Sequence, residues 1–325
     1  MRIMPLEKRD VTTSRLVLGC MRLGGSWDNS PIAEEDVVKM EKAIDQALSL
    51  GITMFDHADV YALGKAEEVF GKVIKARPDL REQMVIQSKC GFRFADEIGP
   101  IRYDLSKEHI IGSVNGILKR LSVEYIDVLL LHQPDPLVEP EEVAEAFHIL
   151  KTSGKVRNFG VSNMNKGQME LLQAYCEQPI IVNQLEMSLL KLDWLNQGVT
   201  VNQEAGKAVN FGEGLLEHCM IKNIQIQAWS PLAKGIYSGK DVKDLSEAQI
   251  NTRELVTKMA EEKGTTREAI VLGWLMRHPA KIQPVLGITN LERIKNCYDA
   301  IRQSELMTRE EWFSLYVTAR SNRLT

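Results

Sequence analysis

Four side chains of complementary acid–base character occupy comparable places in this chain. Asp56 and Tyr61 lie in Phe55-Asp56-His57-Ala58-Asp59-Val60-Tyr61, Lys89 in Ile86-Gln87-Ser88-Lys89-Cys90-Gly91, and His132 in Leu129-Leu130-Leu131-His132-Gln133-Pro134. Asp56, Lys89 and His132 each stand where an apolar run stops, and Tyr61 follows on the loop after the first of them. A charge beside an apolar strand is costly unless paired, so Asp56 and Lys89 are expected to meet. A phenol ordinarily ionises near about pH 10, and an adjacent ammonium favours the phenolate and lowers that value. Asp56 would keep Lys89 charged, Lys89 would loosen the Tyr61 proton, and His132 would orient a substrate oxygen. General acid help of this kind contributes typically about 10²–10⁴-fold. It suits reduction of an aldehyde or ketone, where hydride reaches carbon and a proton reaches oxygen. Singly, each residue has a plainer explanation: a structural ion pair, a packed loop tyrosine, a capped core histidine. The coincidence of all four points to chemistry. His57 alternates away from Asp56 and is expected to face the helices, so His57 and Asp59 suggest no metal site.

The elements that would position these groups follow a regular rhythm. Short apolar strands are expected at 16–19, 53–58, 84–90, 127–132, 158–163, 180–186, 224–230 and 284–288. Helices are expected at 34–50, 66–76, 106–121, 141–152, 166–176, 214–222, between 252 and 277, and at 291–302. In the first helix Val37, Met40, Ala43, Ile44, Ala47 and Leu48 recur on one face, and Gly51 ends it. Ser106 is a candidate N-cap. Continuous apolar strands such as Val128-Leu129-Leu130-Leu131 fit a parallel sheet covered on both faces. Eight strand–helix units predict an α/β fold of the (β/α)8 TIM-barrel class, whose functional end is the C-terminal end of the strands. No GxGxxG follows the first strand, where Gly19-Cys20-Met21-Arg22-Leu23-Gly24-Gly25 stands instead, so a doubly wound dinucleotide-binding sheet is disfavoured. Residues 1–15 read as a hairpin capping one end, and 307–320 as an extra C-terminal helix. With no linker visible, residues 1–325 are read as a single domain.

Composition excludes several classes. The chain has 325 residues, a formal net charge of −4 and no basic block, so neither a nucleic-acid surface nor a polybasic membrane anchor is expected. No apolar run approaches the roughly 20 residues of a membrane span, and no signal-peptide core is seen. Five scattered cysteines without a CxxC suggest reduced thiols in a cytoplasmic protein, best read as small buried hydrophobes.

FDHADVY at 55–61, SKCG at 88–91, HQPDP at 132–136, GVSN at 160–163, NQ at 183–184 and AWSPL at 228–232 together resemble the aldo-keto reductases, nearest the bacterial YdhF-like branch, in register from Leu16 to about Ala300. The resemblance implies reversible carbonyl reduction with a nicotinamide cofactor bound without a Rossmann fold. It implies Tyr61 as proton donor, with Asp56, Lys89 and His132 completing a tetrad. It places Ser162, Asn163 and Gln184 on the carboxamide, where neutral groups with donors and acceptors suit an amide. Trp229 would lie on the nicotinamide ring, and Met21, Arg22, Ser230, Pro231 and Leu232 along the pyrophosphate. In the eighth unit Gly287, Thr289, Arg293 and Asn296 would meet the adenosine end. The Lys-Ser usual before that arginine is missing, yet one guanidinium can grip a phosphate bidentately. NADP(H) is therefore expected, with NAD(H) as the alternative.

Trp27, Tyr61 and His132 are the expected substrate contacts, and a small-molecule carbonyl compound the expected partner of a monomer or weak homo-oligomer. The loop from Ala233 to Ile250 is a candidate lid, and 187–213 a long loop around Trp194 without an assigned role. Two other readings stay open: an NADP(H)-binding redox sensor resembling the potassium-channel β subunits, and a Schiff-base lyase using Lys89.

Overall fold

The computed structural model describes residues 3–320. Eight parallel strands close into a barrel: β1 (Val17–Gly19), β2 (Met54–Asp56), β3 (Val85–Cys90), β4 (Ile126–Leu131), β5 (Val156–Ser162), β6 (Ile180–Glu186), β7 (Gln225–Trp229) and β8 (Gln283–Leu286). Each pairs with its neighbour in order, and β8 closes on β1. Every residue of β1, β2, β4 and β8 is buried. This explains their unalternating apolar sequences, since the helical jacket covers the outer face and packed side chains fill the inner one.

The helix at Glu34–Ser49 buries Met40, Ala43, Ile44 and Ala47, one face of the expected stripe. Ser106 caps the helix at Lys107–Leu121 by accepting from the His109 amide. The barrel interior has its own small apolar cluster, in which Leu6 packs with Val17, Met54, Val128, Val182 and Val285. The expected N-terminal hairpin does not form: residues 3–15 hold a 3-10 turn at Glu7–Arg9 and no strand. The turn wraps Leu6 inward, with the Arg9 and Val11 amides both donating to the Leu6 carbonyl. One buried leucine thus closes the barrel floor without a second strand. Several further pieces were not legible. The loop at 187–213 carries a helix at Asp193–Val199 and a 3-10 turn at Glu204–Ala208. The last unit's helix breaks at Asp299 into Leu291–Tyr298 and Ala300–Leu306. The expected C-terminal helix does form, at Arg309–Arg320, and stacks Trp312 on Trp274 (centroids 5.3 Å), which meets Trp194 edge-on at 5.6 Å.

Gly24 sits where the loop after β1 crosses the start of the helix at Lys65–Ala76. A Cβ there would lie 2.5 Å from the Ala66 amide nitrogen. The same crossing is tied by Lys65, whose Nζ donates to Ser26 Oγ and to the Ser30 carbonyl, both at 3.2 Å. Because the obstacle is backbone, Gly24→Ala must push loop and helix apart. Overpacking of this sort costs about 1–3 kcal/mol, so calorimetry should show a Tm lowered by several degrees. An unchanged Tm would mean that the crossing yields freely.

Candidate active site

The mouth of the barrel holds a cavity of about 380 Å³ at the C-terminal ends of the strands. Asp56 is the last residue of β2, and Lys89 lies one residue before the end of β3. Lys89 Nζ donates to Asp56 Oδ2 at 2.7 Å, to the His57 carbonyl at 2.8 Å and to Tyr61 Oη at 2.9 Å. All three ammonium hydrogens therefore have acceptors, although the side chain is fully buried. Burial opposes the charge, but Asp56 and Tyr61 outweigh it and hold the Lys89 pKa above its ordinary value. An amine so held is a poor nucleophile, which disfavours the Schiff-base reading.

Tyr61 reaches Lys89 from a constrained loop. Its amide donates to the Ala58 carbonyl at 3.1 Å, and the next three residues, Ala62, Leu63 and Gly64, all have positive φ (50°, 59° and 89°). Two non-glycine residues in the left-handed region are uncommon and cost backbone energy. They turn the chain sharply behind Tyr61, so that its ring lies edge-on to His132 with centroids 6.0 Å apart. The lowering of the Tyr61 pKa expected from its neighbour Lys89 does not occur. Burial raises the Tyr61 pKa, and the opposing pull of Lys89 does not overcome it. The phenol is thus firmly protonated at neutral pH, and the ammonium limits the rise without reversing it.

His132 follows β4. Burial, reinforced by the charge of Lys89, brings its pKa down to about 3, so the imidazole is neutral at physiological pH. Its Nδ1 is buried without a partner. His57 faces outward as expected, edge-on to Phe70 at 4.6 Å, and burial brings it down to about 3 as well. Among the described residues no cluster of His, Cys, Asp or Glu could hold a metal. Asp59 packs beside buried Glu67, which accepts from Ser88 Oγ at 2.6 Å and Arg120 Nε at 2.8 Å. Burial, then the Glu67 charge, lifts Asp59 to about 7.

The other expected residues mostly converge on the same cavity. Ser162, Asn163 and Gln184 line one side, and Trp229, Ser230, Pro231 and Leu232 another. Met21, Arg22, Gly287 and Arg293 also border it. These groups are already ordered by one another. Trp229 Nε1 donates to Asn163 Oδ1 at 3.0 Å, which fixes the indole. Asn163 Nδ2 donates to Ser162 Oγ at 3.1 Å, and Ser162 Oγ to the Gln184 carbonyl at 2.9 Å. The Gln184 amide nitrogen points down into the barrel, where it donates to Asp56 Oδ1 and Gln227 Oε1. Its oxygen is left to accept from a ligand. Asn163 Nδ2 also donates to the His132 carbonyl at 3.4 Å, so the group left open toward a ligand is the Gln184 acceptor, which suits the NH2 end of an amide.

Three expected residues lie elsewhere. Asn296 borders a second cavity of about 590 Å³, which shares Arg293 with the first. Thr289 is exposed and borders neither, and Trp27 is 53 % exposed on the loop after β1. Arg293 is not held ready as a free fork, since its Nε donates to Glu268 Oε1 at 2.9 Å and Nη2 to Ser238 Oγ at 3.0 Å. Lys240 and Arg267, which the sequence reading passed over, line the second cavity with it. The signal available for Lys240 was its place after Gly239 in the candidate lid. Lys234 and Gly235 of that segment border the first cavity.

Comparison with known proteins identifies the family of the chain and its fold. The sequence profile of the Aldo/keto reductase family matches residues 15–312. The chain is 36% identical over 316 residues to the 6-dehydroglucose reductase of Agrobacterium fabrum, covering 94% of both chains. It is 33% identical over 306 residues to the oxidoreductase YdhF of Escherichia coli, covering 93% of this chain and 92% of the other. The crystal structure of a thermostable aldo-keto reductase, Tm1743, superposes with a TM-score of 0.71 at 25% identity over 94% of each chain. This barrel therefore belongs to the aldo/keto reductase family and is an oxidoreductase fold in sequence as well as in shape.

Proposed function

We propose that this protein reduces aldehydes or ketones to alcohols at the expense of NADPH, with Tyr61 as the proton donor. The observation that carries the reading is the Lys89 ammonium seated between Asp56 Oδ2 at 2.7 Å and Tyr61 Oη at 2.9 Å. Tyr61 holds the transferable proton, and Lys89 stabilises the phenolate left when it goes. Asp56 fixes Lys89 in position. An oxyanion forming beside the phenol is far more basic than phenolate, so the transfer runs downhill although burial raises the Tyr61 pKa. Neutral His132 presents a ring nitrogen to the same space. Its buried Nδ1 has no acceptor, and orphaned N–H groups are rarer than under-satisfied acceptors, so the proton belongs on Nε2, as a donor to the substrate oxygen. Trp27 and the loop after β1 would form the outer wall for the substrate.

Gln184, Asn163 and Ser162 would hold the carboxamide of the cofactor and Trp229 would flank its ring, while Arg22 and Ser230 to Leu232 would run beside the pyrophosphate. When bound, the nicotinamide supplies the hydride. Arg293, Arg267 and Lys240 border the outer cavity and give it three cations for a 2′-phosphate. Glu268 already engages Arg293, which weakens its hold on a phosphate and leaves NADH usable. The similarity to a 6-dehydroglucose reductase makes a hexose oxidised to the aldehyde at its last carbon the first substrate to try. No helix among the described residues is long and apolar enough to cross a membrane, and a small soluble carbonyl compound fits the cavity.

The test is cofactor absorbance in the presence of that sugar aldehyde and of simple aryl aldehydes, with NADPH and NADH in parallel. Turnover is expected with both, faster at low concentration with NADPH. Cofactor binding without turnover on any carbonyl would favour the redox-sensor reading instead.

A further inference from the structure

Below the cavity, four polar side chains close a circuit that the mechanism above does not use in full. Gln87 Nε2 donates to Asp56 Oδ1 at 2.6 Å and to Gln227 Oε1 at 2.8 Å. Gln184 Nε2 donates to the same two oxygens, both at 3.0 Å. Two amide nitrogens and two oxygens thus alternate, and both hydrogens of each nitrogen are committed. The circuit continues to the barrel floor: Gln227 Nε2 donates to Gln283 Oε1 at 3.0 Å, and Gln283 Nε2 to the Ser14 carbonyl at 2.6 Å. Strand register supplies two rows, which these bonds join across the barrel. Asp56 stands opposite Gln87, and Gln227 opposite both Gln184 and Gln283. None of the five is more than 2 % exposed.

The amide directions follow from the carboxylate. Turning Gln87 over would set its oxygen against Asp56 Oδ1, so the nitrogen must face it. The consequence is an orphan: Gln87 Oε1 is buried with no donor. An unsatisfied buried polar atom calls for an explanation. Packing does not provide one, because the barrel interior is otherwise lined by apolar side chains, with Val128 opposite Gln87 in the register, and a leucine at 87 would leave nothing unpaired.

We propose that Gln87 is a positioning residue for the reaction set out above, and the inference rests on that reading. With Gln184 it holds Asp56 Oδ1, so that Oδ2 stays aimed at Lys89 and the ammonium stays on Tyr61. Gln87 touches neither substrate nor cofactor. The charged and titratable groups around Asp56 are Lys89 from β3, Tyr61 from the loop after β2, Cys20 from the loop after β1 and, beyond Tyr61, His132 after β4. Without the Gln87 donor, Oδ1 keeps only the longer bond from Gln184 at 3.0 Å, so the carboxylate can rotate and Lys89 can follow it away from the phenol.

The test compares Gln87→Leu and Gln87→Glu with the wild type. Gln87→Leu removes the orphan oxygen along with the donor, so its Tm is expected to be unchanged or higher. Its kcat is expected to fall by about tenfold or more, the scale of a small misplacement of reacting groups, while cofactor affinity stays within about twofold. Tyr61, titrated by ultraviolet difference against Tyr61→Phe, is expected to ionise at higher pH than in the wild type. In Gln87→Glu the protonated carboxyl can donate to Asp56 and the ionised one cannot. Its kcat should therefore recover as pH falls, a slope the wild type lacks. A Gln87→Leu enzyme with wild-type kcat and an unmoved Tyr61 titration would overturn the proposal, as would a Gln87→Glu enzyme equally impaired at every pH. If the wild type itself reduces no carbonyl compound, the reductase reading fails, and the Tyr61 titration alone decides whether Gln87 holds Lys89 in place.

Discussion

Tyr61→Phe should lower kcat for carbonyl reduction by about 10²–10⁴-fold, the usual worth of a general acid, while cofactor binding is retained. The substitution removes a single oxygen from a ring already packed edge-on to His132, so the loop has no reason to move. The left-handed run at Ala62, Leu63 and Gly64 is fixed by backbone geometry and not by the phenol. What is lost is the proton on Oη and one of the three acceptors of Lys89. Steady-state rates, with cofactor titration followed through Trp229 fluorescence, separate the two effects. Rates within a few-fold of wild type would remove Tyr61 from the mechanism. Loss of cofactor binding would point to a structural role for the ring.

The second large effect is expected at Lys89. Lys89→Met keeps the length of the side chain but leaves Asp56, whose side chain is 3 % exposed, without its cation. Breaking a buried pair in this way costs about 3–5 kcal/mol. The amide donors from Gln87 and Gln184 remain and should keep the loss toward the lower figure. Turnover should fall with Tyr61→Phe, because the phenolate would form beside a thioether. A double variant separates stability from chemistry: adding Asp56→Asn removes the stranded charge and should restore much of the Tm, with no return of activity. Recovery of activity in the double variant would show that neither charge is needed. The sign of the pH effect follows from Lys89. Its folded pKa is raised, so the wild-type pair stabilises the fold throughout the neutral range. That contribution is lost only as the pH climbs past the ordinary lysine range toward the higher folded value.

Much of this site was readable from residue types at strand ends. Asp56, Lys89 and His132 stand where apolar runs stop, and closure of a barrel brings such ends together. The boundaries of β6 agree with the sequence reading residue for residue, because Ile180 to Glu186 is an unbroken run between turn residues. Two kinds of feature were hidden. Gln87, Gln227 and Gln283 look like ordinary polar positions in their strands, and only the register with the bonds that cross the barrel shows that they join Asp56. The net effect on Tyr61 was also hidden, since adjacency to Lys89 follows from the motif but the depth of burial does not. The floor of the barrel was misread for a related reason. A charged turn between apolar residues signals a hairpin, yet a single leucine turned inward closes the end as well.

Apart from Trp27, exposed on the loop after β1, the tryptophans divide this protein into two optical regions. Trp194, Trp274 and Trp312 form one contiguous group, the last two stacked and the first edge-on, and Trp229 stands apart at the mouth of the barrel. Light emitted from the first group reports whether that part of the jacket is intact, and light from Trp229 reports what occupies the mouth. Because indoles in van der Waals contact exchange excitation among themselves and a lone indole does not, a quencher bound at the mouth and a melting jacket should leave different spectral traces in one unlabelled sample.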